Sequence, residues 1–167
     1  SWMGHVPGTY RQDILTNYDH WTGAIAIISD RGNGSVKVKS NGDVDWQYAL
    51  TRLDEDNMKD AIKTLCMAFE QAGADEMIIF HNPGLIWKRE SGESISQLVE
   101  RSNRAGFGPH QITLGSAHQM GATPMGANPH NAVCNEHGKV YGVHGLYVMD
   151  GSVFPRCSGV NPMVSIE

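Results

Sequence analysis

Two short segments near the end of the sequence carry residue types that could do chemistry. His118 lies in Ser-Ala-His-Gln-Met-Gly at 116–121, and Asn161 lies in Gly-Val-Asn-Pro-Met at 159–163. A neutral imidazole can accept a proton near physiological pH, and a carboxamide can both donate and accept hydrogen bonds. Each residue also has an ordinary interpretation. A lone histidine is more often a hydrogen-bonded core residue, and an asparagine before proline is a helix N-cap.

The stretch around these segments predicts the elements that must position them. Leu146–Met149 is a short apolar run after a glycine, which is typical of a buried strand. Asp150-Gly151 then predicts a turn. Asn161-Pro162 predicts a helix start, because the missing N–H of proline would be unpaired at the first helical position anyway. The sequence stops at Glu167, about one turn into that helix, so we expect it to be a piece of a longer protein.

From Ser116 onward the sequence resembles the C-terminal end of the glucose–methanol–choline (GMC) oxidoreductases. The resemblance is carried by the motif at 116–121, by Met-Gly at 125–126, by the run 133–155 and by Gly-Val-Asn-Pro at 159–162. The first motif is most similar to that of the long-chain fatty alcohol oxidase branch. The resemblance implies an FAD-dependent enzyme that oxidises a primary, long-chain alcohol to an aldehyde by hydride transfer to FAD, with O2 as electron acceptor.

The resemblance also implies roles for individual residues. His118 would take the hydroxyl proton of the alcohol, and Asn161 would hold its oxygen. Free N–H groups at Met163 and Val164 would face the flavin, where the positive end of a helix suits an anion. The expected FAD contacts are made by Asp150, Gly151, Asn161, Pro162 and Met163. The sequence departs from the family at Ala122-Thr123-Pro124, where relatives have Thr or Ser followed by Cys and Arg.

Residues 1–115 predict an antiparallel sheet. Asn41-Gly42 would supply the two positive-φ positions of a type I′ hairpin turn, and the alternation of apolar and polar residues around it predicts one dry face. Residues 1–23, with Gly4, Pro7 and Gly8 as breakers, predict irregular structure, and 31–34 predicts a turn. The expected strands are Ala24–Ile28, Ser35–Lys39, Val44–Leu50 and Glu76–Phe80.

Two helices should cover this sheet. Asp54–Ala72 places apolar residues on one face at helical spacing, with Asp54 or Asp56 as N-cap and Gly73 after its end. Ser94–Arg104 predicts a more polar helix closed by Gly106. Beyond it, 111–120 should be extended and 133–142 should form a small hairpin.

The fold class is therefore α+β. An antiparallel sheet covered by helices forms a substrate-binding region over residues 1–115, and residues 116–167 supply the C-terminal strand–loop–helix of an FAD-binding domain.

The amino-acid composition indicates which classes of partner to expect. Lys and Arg number 13 against 18 Asp and Glu, which gives a formal charge of −5 without any basic block, so nucleic acid is not an expected partner. No stretch approaches the roughly 18 continuous apolar residues of a membrane helix, so membrane association is not indicated. The glycine fingerprint that binds the ADP half of FAD does not occur in this chain. The expected partners are thus the alcohol, FAD, and an N-terminal portion or another chain that supplies that fingerprint.

Two alternatives stay open. A metal site is conceivable, because one third of the chain is rich in histidine: His110, His118, His130, His137 and His144, with Cys134 and Glu136 between them. The spacing from His130 through Cys134 to His137 resembles no standard zinc pattern. The second alternative is a catalytically silent substrate-binding fragment that lacks the FAD-binding half.

Overall fold

A computed structural model describes residues 5–32 and 34–166. The chain divides into two compact units: the first runs through Ala26 and resumes over Arg31–Leu114, and the second comprises Ile27–Asp30 and the residues from Gly115 onward. The predicted breaker at Gly4 and one position of the predicted turn at 31–34 lie outside the described residues. The assignment of 1–115 to substrate binding and of 116–167 to FAD binding stays a prediction.

The first sheet is a two-stranded antiparallel hairpin of β1 (Gly34–Val38) and β2 (Val44–Tyr48). The predicted strands are confirmed, but the type I′ turn is wrong. Gly42 has a φ of 87°, but Asn41 does not have the positive φ that a type I′ turn requires at its first central position. Instead, the Asn41 carboxamide accepts the backbone N–H of Asp43 at 3.1 Å. A side chain that bonds the backbone two residues on stabilises a turn without a second left-handed residue.

One face of this hairpin is apolar, as the alternation predicts, but it is not dry. Val36 pairs with Trp46 across the strands, and both side chains are 71% exposed. The described residues leave this face open to solvent. The strand predicted at Ala24–Ile28 is also wrong, because this segment has no regular structure and Ile25 is exposed. An apolar run needs a neighbouring strand to become a strand itself.

The predicted long helix is confirmed as α2 (Arg52–Gln71). Its N-cap is Thr51, not Asp54 or Asp56. The Thr51 hydroxyl accepts the Asp54 N–H at 3.2 Å, and the Asp54 carboxylate accepts the Thr51 N–H at 2.8 Å, which is a capping box. Asp54 is fully buried and also accepts the Arg31 N–H at 2.7 Å. This carboxylate therefore joins the loop before β1 to the start of α2.

The core of the first unit lies between two helices and a second sheet. β3 (Glu76–Ile79) confirms the predicted strand and pairs antiparallel with β4 (Leu85–Lys88), which the sequence did not predict. α3 (Ile95–Ala105) is confirmed, with Ser94 as N-cap and Gly106 at a φ of 82°. The buried cluster consists of Cys66, Met77, Trp87, Ile95 and Leu98. Helices and antiparallel sheets in one chain confirm the α+β class.

A helix, α1 (Gly8–Thr16), lies where irregular structure was predicted, followed by a short 3-10 turn at Tyr18–His20. Pro7 is the residue immediately before the helix. Proline breaks a helix in its interior, but at the N-terminus no N–H is needed from it. The misprediction therefore came from reading a helix-starting proline as a helix breaker.

A buried histidine links α3 to the segment that follows it. His81 is fully buried, with Nε2 2.8 Å from the Ser102 hydroxyl and Nδ1 3.0 Å from the Gln111 carbonyl oxygen. Because a carbonyl only accepts, Nδ1 must carry the proton, and Nε2 accepts from Ser102. Burial lowers the pKa of His81, although the bond to Gln111 opposes this shift. The imidazole is thus held in its neutral form.

The second unit has little regular structure. It contains a 3-10 turn at Gly151–Val153 and the short helix α4 (Met163–Ile166). A bridge between Cys134 and Val140 confirms the small hairpin predicted at 133–142. The buried strand predicted at Leu146–Met149 is wrong, because only an isolated bridge forms there and its residues are mostly exposed.

The two parts of the second unit meet at Cys157. The Ser29 hydroxyl donates to the Cys157 carbonyl at 3.0 Å, and the Cys157 thiol donates to the Ile28 carbonyl at 3.6 Å. These contacts join residues 128 and 129 positions apart in the sequence. They are the reason that a four-residue segment far from the C-terminus belongs to this unit.

Candidate active site

His118 lies at an exposed bend of the second unit. The bend is stabilised by the Gln119 side chain, whose Nε2 donates to the Ser116 carbonyl at 2.8 Å. The segment 111–120 is therefore not a continuous strand, although Ile112 forms an isolated bridge with His81. The interpretation of His118 as a core histidine does not hold for this chain, in which the buried histidine is His81. The imidazole of His118 is open to a reaction partner.

Asp150 and Gly151 form the predicted turn. The Asp150 carboxylate accepts the Ser152 hydroxyl and the Ser152 N–H, the latter at 2.8 Å. These two hydrogen bonds hold the pKa of the Asp150 carboxyl below its usual value. The turn therefore carries a negative charge, and the Asp150 carboxylate is hydrogen-bonded within its own loop.

Gly151 is the point at which the predicted site segments converge. A Cβ at this position would lie 3.3 Å from the Gln119 carbonyl oxygen and 3.4 Å from the Ile166 side chain. The residue after His118 and the helix after Asn161 therefore both pack against this turn. Only glycine leaves both contacts undisturbed, because 3.3 Å from a backbone atom is closer than a side-chain carbon normally lies.

Asn161 caps α4. Its Oδ1 accepts the Met163 N–H at 3.3 Å, and Pro162, which is buried, accepts the Ile166 N–H at 3.0 Å through its carbonyl. The expectation of a free N–H at Met163 is wrong, because Asn161 already uses it. The Asn161 amide N–H groups and the Val164 N–H, which has no intrahelical partner in the first turn, are the donors that this helix start offers.

The structure brings the neighbours of the predicted catalytic residues together but does not join the two residues directly. Within residues 5–32 and 34–166, no hydrogen bond links His118 with Asn161. The donors of Asn161 and Val164 suit the carbonyl groups of a flavin ring, and the glycine at 151 keeps the adjoining turn free of side chain. These donors fit the role that the family resemblance implies for the start of α4, whereas the FAD contacts of Asp150, Gly151, Pro162 and Met163 stay predictions.

Two residues of this site were not predicted. Thr123 Oγ1 lies 2.6 Å from Ser152 Oγ, and the Thr123 N–H donates to the Ser152 carbonyl at 3.0 Å. Thr123 stands out in the sequence only as part of a departure from the family pattern, and Ser152 does not stand out at all. Nothing in the sequence next to either residue predicts a contact between residues 29 positions apart.

The alternative of a metal site gains no support from the geometry. Among the described residues, no group of three or more His, Cys, Asp or Glu side chains is placed to hold a metal ion. Cys134 is fully buried, and its thiol donates to the Thr123 carbonyl at 3.5 Å, whereas His130 and His137 are exposed. Within the same described part, no helix is long and apolar enough to cross a membrane.

Comparison with known proteins places this chain among oxidoreductases. It is 30% identical over 169 residues to the long-chain-alcohol oxidase FAO4A of Arabidopsis thaliana and 27% identical over 168 residues to FAO4B of the same plant, which covers 98% and 97% of the chain. It is 38% identical over 159 residues, or 95% of the chain, to the uncharacterised GMC-type oxidoreductase y4nJ of Sinorhizobium fredii.

The chain spans only part of these proteins: 23% of FAO4A, 22% of FAO4B and 30% of y4nJ. The family model described as GMC oxidoreductase matches residues 30–167, which is most of the chain and includes every residue of the candidate site. The chain belongs to the GMC oxidoreductase family.

Proposed function

We propose that this chain is the C-terminal part of an FAD-dependent alcohol oxidase that converts a primary, long-chain alcohol to an aldehyde. The observation that carries the proposal is the convergence at Gly151 of the His118 segment and the helix capped by Asn161. Its relatives named as long-chain-alcohol oxidases support the substrate class. FAD, when bound, supplies the acceptor for the hydride that leaves the carbinol carbon, and O2 is the proposed final acceptor.

In the proposed reaction the chain's own residues handle the hydroxyl group. A ring nitrogen of His118 takes the hydroxyl proton as the C–H bond breaks, because a neutral imidazole is a base of suitable strength near pH 7. An amide N–H of Asn161 donates to the substrate oxygen and holds it in place. Asn161 is itself fixed by its bond to Met163, which suits the positional accuracy that such a step requires.

The residues proposed to contact FAD are Asp150, Gly151, Asn161, Pro162 and Met163. Asp150 and Gly151 would present the turn backbone, and the start of α4 would present its remaining donors. The chain alone carries no dinucleotide fingerprint, so we propose that FAD is held jointly with the rest of the protein and that the isolated chain is catalytically silent.

The first test is flavin reduction by dodecanol under anaerobic conditions in the full-length protein that carries this chain. His118→Ala should lower the reduction rate by roughly 10²–10⁴, the contribution of a general base. His137→Ala is the matched control, because that exposed histidine lies in the same unit but outside the proposed site, and its rate should equal that of the wild type. A retained rate in His118→Ala would remove this residue from the mechanism.

Two further experiments test the preference for long-chain alcohols and the proposal that FAD is held jointly with the rest of the protein. Ethanol should reduce the flavin more slowly than dodecanol if the substrate is a long-chain alcohol. An absorption spectrum of the isolated 167-residue chain should show no flavin band. Tight flavin binding by this chain alone would contradict the proposal that FAD is held jointly.

A further inference from the structure

A chain of hydroxyl groups connects the Asp150 turn to the loop that follows His118. Ser152 Oγ donates to the Asp150 carboxylate, and Thr123 Oγ1 lies 2.6 Å from Ser152 Oγ. An ionised carboxylate only accepts, and each hydroxyl has one proton. Thr123 must therefore donate to Ser152 while Ser152 donates to Asp150. Both hydrogen bonds therefore point from Thr123 towards Asp150. The final acceptor is a charged carboxylate, which strengthens the hydrogen bond from Ser152.

Backbone hydrogen bonds hold the same two segments together. The Thr123 N–H donates to the Ser152 carbonyl at 3.0 Å, and the Met125 N–H donates to the Val153 carbonyl at 2.8 Å. Pro124, between them, has no N–H to contribute. The Thr123 hydroxyl is consequently the side-chain contact that reinforces a short backbone ladder.

Thr123 is also fixed on its other side and lies close in sequence to the proposed base. Its carbonyl accepts the thiol of the fully buried Cys134 at 3.5 Å. On the other side of the loop, the Gln119 carbonyl oxygen approaches Gly151. The segment from Gln119 to Thr123 thus packs against the Asp150 turn at its first residue and is hydrogen-bonded to it at its last, and His118 is the residue immediately before it.

We propose that Thr123 is a positioning residue whose hydroxyl, through Ser152 and Asp150, holds the His118 segment in place against the Asp150–Gly151 turn. Thr123 itself does not touch the substrate in this proposal. The inference rests on the proposed function in so far as His118 is the base. The attachment of its segment is a property of this chain that can be measured without any reaction.

The experiment compares three variants of the full-length, flavin-bound protein. Thr123→Val keeps the shape of the side chain but removes the hydroxyl, Thr123→Ser restores the hydroxyl, and Thr64→Val removes an exposed threonine hydroxyl that bonds within α2. Hydrogen exchange followed by mass spectrometry reports on the peptide covering 121–126, in which the N–H groups of Thr123, Met125 and Gly126 are hydrogen-bonded. Stopped-flow reduction by dodecanol gives a rate per bound flavin and a separate dissociation constant for the alcohol.

Thr123→Val should speed exchange about fivefold in this peptide, as expected for the loss of one ordinary hydrogen bond, while Thr123→Ser and Thr64→Val remain at the wild-type rate. The reduction rate per flavin should fall at least about fivefold in Thr123→Val with little change in the alcohol dissociation constant, and the serine variant should recover it. A role confined to stability would change the amount of folded protein and not the rate per flavin.

Two results would overturn the inference. In one, exchange in 121–126 is unchanged by Thr123→Val. In the other, exchange rises but the reduction rate of an active enzyme does not fall. If the wild type shows no reduction by dodecanol or ethanol, the proposed function fails, and the exchange of 121–126 alone decides whether the Thr123 hydroxyl holds the loop after His118 against the Asp150 turn.

Discussion

Asp54 is a buried carboxylate that remains ionised because of the donors around it. Burial by itself would raise the pKa of this carboxyl, but hydrogen bonds from the Thr51 hydroxyl and from the N–H groups of Thr51, Arg31 and Gly32 outweigh it. The pKa is therefore lowered from its ordinary value of 3.8. Since the folded state binds the proton less tightly than the unfolded state, this group stabilises the fold above that pH and loses its contribution as the pH falls below it.

Asp54→Asn should lower the free energy of unfolding by about 1–3 kcal/mol at pH 7, because the amide places a donor where backbone donors already point. The measurement is urea denaturation at pH 7 and at pH 3, and the difference between variant and wild type should shrink at the lower pH. Asp56→Asn is the control. That exposed carboxylate pairs with Lys59 at 2.7 Å on the same helix, and its loss should change stability much less than Asp54→Asn does at pH 7, because solvent screens a surface ion pair. Equal effects at 54 and 56 would contradict this account.

His81 gives the chain a second dependence on pH. Its pKa is lowered from 6.5 in the folded state, so the unfolded state takes up a proton first as the pH decreases. The stabilisation from neutral His81 is complete above about pH 6.5 and is lost below it. We expect the unfolding free energy to decrease between pH 7 and pH 5.

A His81→Asn variant should be less stable at pH 7, by about 1–3 kcal/mol, since Ser102 loses its buried acceptor. Its stability should then depend less on pH between 7 and 5 than that of the wild type. His137→Asn, at an exposed position, is the control for the substitution itself and should be as stable as the wild type at pH 7. A slope that survives in His81→Asn would assign the pH dependence to other groups.

At the scale of elements, α3 contributes the most completely buried apolar side chain of the first unit. Leu98 is 0% exposed and belongs to the cluster with Cys66, Met77, Trp87 and Ile95. Leu98→Ala should lower the unfolding free energy by about 2–5 kcal/mol, because it removes buried apolar surface and leaves a cavity between α2, α3 and the second sheet. Leu53→Ala, on the exposed side of α2, should cost less than about 0.5 kcal/mol. Thermal or urea unfolding that shows similar losses at both positions would contradict this placement of the core.

The helices α2 and α3 and the first hairpin could be predicted from the sequence because their signals are local. The apolar face of α2, the serine before α3 and the glycines at 73 and 106 each act within a few residues of their own position. The apolar runs at 24–28 and 146–149 failed as predictions, since an extended segment becomes a strand only when a partner pairs with it. The sequence shows the run but not the partner.

The candidate site likewise combines features that the local sequence predicts with features that it does not. The turn at Asp150 and the cap at Asn161 follow from short-range chemistry and are found in the structure. The use of the Met163 N–H by Asn161, the contact of Gln119 with Gly151 and the pairing of Thr123 with Ser152 depend on the tertiary fold. The catalytic roles of His118 and Asn161 stay predictions, because they concern atoms of a substrate.

At the scale of the whole molecule, the two units differ in how much regular hydrogen bonding they contain. The first has long helices and two hairpins, whereas the second has one four-residue helix and isolated bridges. Amide exchange should therefore be slowest in α2 and α3, and faster by roughly a hundredfold or more over 143–149. Hydrogen exchange of the chain, followed residue by residue by NMR, would test this ranking. Comparable protection in both units would contradict it.

The contacts of Cys157 with Ile28 and Ser29 have a consequence for the order of events during synthesis. The ribosome makes residues 27–30 before the rest of the second unit, and the residue that Ser29 contacts appears 128 positions later. At roughly 5–20 residues per second, that interval is about 6 to 26 seconds. The first unit is complete in sequence before the second can close, so translation imposes an order of folding in which residues 27–30 remain without these contacts until Cys157 has been made.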